Sequence, residues 1–364
     1  MAHQLPLSTL DPDEIAELRS TVREAATESG YPAAVRDLEG SPTGLDEGLW
    51  NLLAQEIGLA GVGLPEAAGG LGGLAELLAV TEELGATLAA VPFLTSTVIT
   101  GQLLAHSDDD AAPFLERVCS GEIGAAAITD DSGALIIDAS PCTSDGATVT
   151  GTCRFVTHGA SAAFFVVAAQ TAAGIDLFAV EASDAVVTPL PVLDFSRPVA
   201  SVTFESSPAV ALTTNGGGAA ALAGAGAIAL LCVAADQLGG SQYCFDMTLE
   251  YIKLRRQFNR EIGSFQAIKH RMADQLMLVE MTRSGLDKVT AGETEDIALD
   301  ALIAKAWASD AYQAVAAEAI QLHGGVGFTW EHDAHLYFRR ARFDAAFLGD
   351  ATRQREQLAA HLNW

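Results

Sequence analysis

From Ala219 to Ala235 the chain reads AAALAGAGAIALLCVAA, with no charged residue on any side. A helix that is apolar all round belongs inside a larger structure. Alanine and glycine make this stretch too weakly hydrophobic for a membrane span, so it reads as a buried helix. Its small side chains let a neighbouring helix approach closely. A chain of this kind must surround that helix with others.

The surroundings supply them. Three long helical patterns fall in the last third, at Ala219 to Lys253, Ser264 to Ala291 and Asp296 to His323, with shorter ones at Asp333 to Phe343 and Asp350 to His361. At 1.5 Å per residue the long ones reach about 40 to 50 Å, the proportions of an antiparallel bundle. The beginning of the chain is also helical in pattern. Asp11 and Asp13 are candidate caps for a helix from near Glu14, Leu45 to Ile57 has a helical apolar period, and Leu74 to Leu88 and Thr95 to Leu104 continue it. Between them GLAGVGLPEAAGGLGG breaks regularity. The middle differs. Runs such as AAAITD, GALIIDAS, ATVTGTCRFVTHG, FFVVAAQ, IDLFAVEA and VASVTFES read as short strands of a small sandwich or barrel, with Asp145-Gly146 as a hairpin turn. We therefore expect a mainly α fold with a central β domain: residues 1–122 helical, 123–217 β, and 218–364 a helical bundle.

Charge narrows the function. The 364 residues carry 20 basic and 47 acidic side chains, a formal charge of -27. Nucleic-acid phosphates and anionic lipid surfaces both call for clustered cations, so neither is an expected partner. Six of the basic residues precede residue 250, and the rest begin at Lys253. Cationic contacts to an anionic ligand are thus expected from the last third. The five cysteines form no CxxC, which suggests neither a disulfide framework nor a zinc site. The EHDAH tract, Glu331 to His335, has no second cluster at a metal-ligand spacing, so no metal is expected. MAHQLPLSTLDPDE lacks a basic start followed by an apolar run, and a cytoplasmic location is expected.

Three passages carry a family resemblance: GLAGVGLPEAAGGLGG, LEYIKLRRQFNREIGSFQAIKHRMAD (Leu249 to Asp274), and AIQLHGGVGFTWEHDAHLYFRRAR (Ala319 to Arg342). In this order around a β domain they resemble the acyl-CoA dehydrogenases over nearly the whole chain. The resemblance implies FAD as cofactor, an acyl-CoA substrate and an electron-transferring flavoprotein as acceptor. It implies that Arg255 and Phe258 reach the FAD of a neighbouring subunit. Gln321, Gly324 and Gly325 would line the same cofactor's adenosine end. Arginine offers a pyrophosphate several fixed N–H donors, and glycine permits close backbone approach. Ile128-Thr129 and Phe155-Val156-Thr157 fall where the family contacts the isoalloxazine ring. Phe155 replaces the usual tryptophan, and the DDSG loop lacks the usual Pro-Gly-rich continuation.

One element is missing. Removing a proton alpha to a thioester carbonyl needs a placed carboxylate. The family puts it in the loop before the last helix, where this chain has Leu348, or in the bundle's first helix, near Ala229 or Leu230. Ser206 to Ala235 contains no Asp or Glu. Asp350 is the nearest acid in the loop, a candidate base or, alternatively, the cap of the last helix. The pattern resembles the base-lacking subunit of heteromeric actinobacterial enzymes, which join two unlike subunits as α2β2 and oxidise bulky, including steroid-derived, CoA thioesters. The partner would then supply the glutamate. A self-sufficient homotetramer using Asp350 and a flavin-free scaffold of the same fold are the rival readings.

Overall fold

The computed structural model describes residues 5–136 and 138–364. The start of the N-terminal tract (1–4) and Ile137 of GALIIDAS lie outside the described residues.

Helix α1 (Pro12–Glu28) begins two residues earlier than Glu14. Asp11 is its cap, accepting from the N–H groups of Asp13 and Glu14, while the Glu14 carboxylate returns to the Asp11 N–H. This reciprocal box satisfies donors that the first turn leaves free. The Leu45 to Ile57 pattern forms α2 (Glu47–Asn51), continued by a π-turn at Leu52–Glu56. GLAGVGLPEAAGGLGG makes two short 3-10 turns, and α3 (Leu74–Thr87) follows. Leu94–Thr100 is π-helical and runs into α4 (Gly101–Ala105), and α5 (Ala112–Cys119) closes the first helical layer.

Eight strands come next: β1 (Gly124–Ala127), β2 (Cys142–Ser144), β3 (Thr148–Thr157), β4 (Phe164–Thr171), β5 (Gly174–Glu181), β6 (Ala185–Leu190), β7 (Val199–Pro208) and β8 (Val210–Ala211). They form one sheet in the order β6-β7-β3-β2-β4-β5-β8, with β1 parallel to β4. The Asp145-Gly146 turn joins β2 to β3, and the Asp145 carboxylate accepts from the N–H groups of Ala147 and Thr148. Phe165 of β4 meets Phe204 of β7 with ring centroids 5.9 Å apart, although these strands are not neighbours. The sheet therefore curls over its own core of Phe165, Val167, Phe178 and Val202. Alternate residues of β4, Phe164, Val166 and Ala168, face the helices instead. This two-sided burial explains why β4 reads as an unbroken apolar run.

The GALIIDAS expectation is corrected. Among its described residues the stretch forms no strand, only isolated bridges from Leu135 to Thr129 and from Ala134 to Leu348. Its apolar residues pack onto helices: a Cβ on Gly226 would sit 2.8 Å from Leu135 Cδ2.

The bundle contains α6 (Gly218–Leu254), then a two-stranded hairpin of β9 (Arg256–Gln257) and β10 (Arg260–Glu261), α7 (Gln266–Thr290), α8 (Ile297–His323), α9 (Ala334–Ala346) and α10 (Ala351–His361). By length and composition α6 could cross a membrane, but 78% of its most apolar window is buried within the fold. Small residues bring the backbones together as expected. A Cβ on Gly239 of α6 would lie 1.9 Å from the Glu82 carbonyl of α3, and one on Gly85 would lie 2.3 Å from that of Asp236.

Candidate functional site

At the far end of α6 the helix stops at Leu254, and Arg255 turns into extended backbone. Arg260 pairs with Gln257, leaving Phe258-Asn259 as a two-residue loop with φ of 54° and 61°. Both central residues left-handed is the type I′ turn that suits a tight hairpin, where Asn or Gly is usual. A phenylalanine there is strained, and burial does not compensate it: Phe258 is 87% exposed. Such strain at an exposed aromatic tip points to use by another molecule. Arg255 is exposed, and among the described residues its guanidinium has no ion-pair partner.

The third passage ends beside this hairpin. Helix α8 closes at Gly324, whose φ of 64° and ψ of -143° suit glycine alone. A Cβ on Gly325 would meet nothing within 4 Å, so the chain's own packing does not require a glycine there. Gln321, Gly324 and Gly325 are exposed, and Phe328 beyond them is 79% exposed. The two passages are joined through Tyr251, whose hydroxyl donates to the His323 carbonyl at 3.3 Å and whose ring lies 4.3 Å from the His323 ring. Ile252, Met272 and Leu322 pack beneath. The fold thus brings Arg255, Phe258, Gln321, Gly324 and Gly325 to one end of the bundle. An open, cationic edge with bare backbone fits the anionic and adenosine parts of a dinucleotide such as FAD.

The β-domain residues lie elsewhere and are differently disposed. Thr129 is buried and donates from Oγ1 to the Arg154 carbonyl at 2.8 Å. Thr157 is buried, and its hydroxyl accepts from Thr95 Oγ1 at 3.0 Å. Both hydroxyls are engaged inside the chain. Between them a bulge in β3 puts Phe155 at φ 62°, partly exposed, with the Arg154 guanidinium 5.4 Å from its ring. Bulges re-aim side chains in this way.

The loop after Thr129 is folded tightly. Asp130 Oδ1 accepts from Ser132 N, Ser132 Oγ and Ala134 N. Ala134 then bridges to Leu348, which is 2% exposed at φ 58°. Ala229 and Leu230 are also buried and apolar. Asp350 caps α10, with Oδ1 accepting from Arg353 N at 2.8 Å, and its side chain is at the surface. Beside this loop a groove of about 510 Å³ runs between Leu135, Ile136, Gly226, Leu230, Leu302 and His361.

A buried ion network, missed in the sequence, lies under the Leu348 loop. Arg340 Nε donates to Asp194 at 2.5 Å, and Arg197 donates to Asp236 at 2.7 Å. Lys305 Nζ donates to Ser309 Oγ, to the Asp344 carbonyl at 2.9 Å and to the Gly349 carbonyl at 3.4 Å, holding the turn around Leu348. Burial pulls the Lys305 ammonium down to about 8. Burial and then the Asp236 charge push the Asp344 carboxyl well above its ordinary value. Burial alone would raise Asp236 too, but Arg197 and Arg340 override it and hold that carboxyl low. The one available signal was Asp236, the first acid after a long uncharged run.

Residues 12–122 match the acyl-CoA dehydrogenase N-terminal domain, and residues 217–363 match the acyl-CoA dehydrogenase C-terminal domain. The acyl-CoA dehydrogenase IpdE2 of Mycobacterium tuberculosis is 35% identical over 93% of this chain and 93% of its own length. The chain belongs to the acyl-CoA dehydrogenase family. Among solved structures, the ChsE4-ChsE5 complex from Mycobacterium tuberculosis superposes with a TM-score of 0.87 at 30% identity, covering 97% of this chain and 98% of that one. A Tcur3481-Tcur3483 steroid ACAD variant gives the same score and identity, covering 96% of this chain and 98% of the other. The family comprises FAD-dependent oxidoreductases of lipid metabolism that act on acyl-CoA.

Proposed function

We propose that this chain is the subunit of a heteromeric acyl-CoA dehydrogenase that lacks its own base and lends flavin contacts to a catalytic partner. The observation carrying this is Leu348, buried against Ala134 where the family resemblance places the glutamate. A leucine accepts no proton, and the neighbouring acid Asp350 is spent on the cap of α10.

In this reading Arg255 and Phe258 reach the partner's FAD. Arg255 binds pyrophosphate oxygens, and Phe258 covers the cofactor's apolar surface. The bare backbone of Gly324 and Gly325, with Gln321, meets the adenosine end. Bound FAD supplies a hydride acceptor. A partner glutamate would take the alpha proton, and the FAD held by these residues would be the acceptor for the beta hydride, so that the product would be the 2-enoyl-CoA. Thr129 and Thr157 form the β-domain edge of this chain's own flavin region, with their hydroxyls committed internally. The assembly is an α2β2 heterotetramer in the cytoplasm, an electron-transferring flavoprotein would be its electron acceptor, and the substrate is a bulky CoA thioester. The steroid activity named for the Tcur3481-Tcur3483 enzyme and the heteromer named for ChsE4-ChsE5 support this choice.

The test is purification of the chain alone and co-expressed with a candidate catalytic subunit. The expected result is little flavin and no turnover alone, with flavin and activity in the co-purified complex. In that complex Arg255→Ala lowers FAD retention about ten-fold, the cost of a lost charged hydrogen bond. Thioester-dependent bleaching of the lone chain overturns the reading, and so does an unchanged FAD content in the Arg255→Ala complex.

A further inference from the structure

The two passages of the open edge come from segments about 70 residues apart in sequence and keep their spacing through aromatic rings. Tyr251 lies against His323, and His323 against His332, each pair with centroids 4.3 Å apart. Tyr251 is one helical turn before Arg255, and His323 directly precedes Gly324. We propose that the Tyr251–His323–His332 stack positions the Gly324–Gly325 turn against the Arg255–Phe258 hairpin, and that protonation of the histidine pair loosens it and releases the partner's flavin. This rests on the flavin contact proposed above.

Hydrogen bonds fix the proton positions. His323 Nδ1 lies 2.7 Å from the Ala319 carbonyl, which can only accept, so Nδ1 carries the hydrogen. His323 Nε2 is then a bare acceptor, buried and without a partner among the described residues. His332 Nδ1 accepts from Ala334 N at 3.2 Å, so its hydrogen is on Nε2. A proton added to either ring places positive charge against the other, and two charged rings at this separation repel. Burial already lowers the affinity of both rings for a proton.

The charged surroundings do not neutralise the pair. On the turn, Asp333 is paired to Arg36 at 2.8 Å, and Arg36, from the 3-10 turn at Ala33–Leu38, also donates to the Trp330 carbonyl. On α9, His335 packs edge-on against Trp330, and Arg339 lies over Trp330. On α6, the Tyr251 ring faces His323. Arg36 adds positive potential at His332, and Asp333, shared with Arg36, offsets part of it without outweighing the burial of the ring.

The experiment follows FAD retained by the purified hetero-complex after gel filtration, between about pH 7 and 5, a window that reaches below the ordinary histidine value of about 6.5 because burial lowers both rings. The wild-type complex is expected to lose flavin several-fold faster at the acid end. His332→Phe keeps a stacking ring without a titrating nitrogen and flattens that profile. His323→Leu removes the ring and speeds flavin loss about ten-fold across the whole range, while His323→Phe restores retention. Melting temperatures of each complex separate this from general unfolding. A wild-type pH profile in His332→Phe, or normal retention in His323→Leu, overturns the proposal. Arg255→Ala keeps the two readings apart. If Arg255→Ala lowers FAD while His323→Leu does not, only the stack fails; if Arg255→Ala leaves FAD unchanged, the trans contact itself fails.

Discussion

Phe258 and Leu348 hold nearly the same left-handed backbone, with φ of 54° and 58°, in opposite settings. Phe258 is 87% exposed at a hairpin tip, and Leu348 is 2% exposed beneath the Asp130–Ile136 loop. A side chain in this region costs of order 1 kcal/mol or more. At Leu348 packing repays the cost, since the side chain is buried and Lys305 and Gln354 hold the carbonyls around it. At Phe258 only an edge-to-face contact with Phe265, centroids 6.2 Å apart, offsets it. Strain that the fold itself compensates is structural; strain left open at a surface suggests that a second molecule completes the arrangement. The closed region is completed within the chain, and the open edge is not.

The closed side should break most easily at its ion network. Arg340→Met leaves Asp194 buried without its guanidinium partner and Asp236 with Arg197 alone, and the expected loss is about 3–5 kcal/mol of stability, read by urea unfolding. A loss below about 1 kcal/mol would mean that the network does not hold the region under Leu348.

One substitution placed at both strained sites sharpens the contrast. Asparagine tolerates the left-handed region. Leu348→Asn buries an unpaired amide in an apolar slot and should destabilise by about 3 kcal/mol. Phe258→Asn removes strain at the cost of one exposed edge-to-face contact with Phe265, so a small gain of up to about 0.5 kcal/mol is expected in the isolated protein. In the hetero-complex the same variant should retain less FAD. Changes of equal sign in the isolated protein would end the distinction between the two sites.

Acid titration addresses the closed side again. His158 is fully buried, with Nδ1 3.0 Å from Thr95 Oγ1, the group that also meets Thr157. Burial first, then Arg197 and Arg340, lowers it to about 3. The folded protein therefore holds His158 neutral, while the unfolded chain takes up a proton near the ordinary histidine value of about 6.5. Between those values the unfolded state binds more protons, so stability falls as pH is lowered through the window, by up to about 1.4 kcal/mol per pH unit. His158→Asn should reduce that slope in denaturation measured at several pH values. An unchanged slope would show that His158 is already charged in the folded state.

Sequence showed the helices well because their partners do not alter their period. The Ala219 to Ala235 run declared burial, and α6 is buried. It showed burial less reliably where two partners were possible. GALIIDAS reads as a short apolar run of strand length, yet Leu135 and Ile136 are drawn to α6 instead of a ladder, because such a run specifies that side chains are covered and not by what. The π-turns at Leu52–Glu56 and Leu94–Thr100 left no readable trace. At the open edge the motifs fixed which residues to watch, but the strained Phe258 turn and the ring stack through His323 depend on three-dimensional placement. The ion network was hidden for the same reason: Asp194, Asp236 and Arg340 are far apart in sequence, and only folding makes them neighbours.

The smallest expected effect is at Asp350, and it tests whether the closed region hides a base. Its carboxylate accepts one backbone N–H at the start of α10, and asparagine caps a helix nearly as well. Asp350→Asn should therefore change stability by only a few tenths of a kcal/mol and leave turnover of the hetero-complex within a few-fold. An acid-base group removed from a reaction costs roughly 10²-fold or more. A loss of that size, with stability preserved, would move Asp350 from cap to base and overturn the proposal that a partner supplies the base.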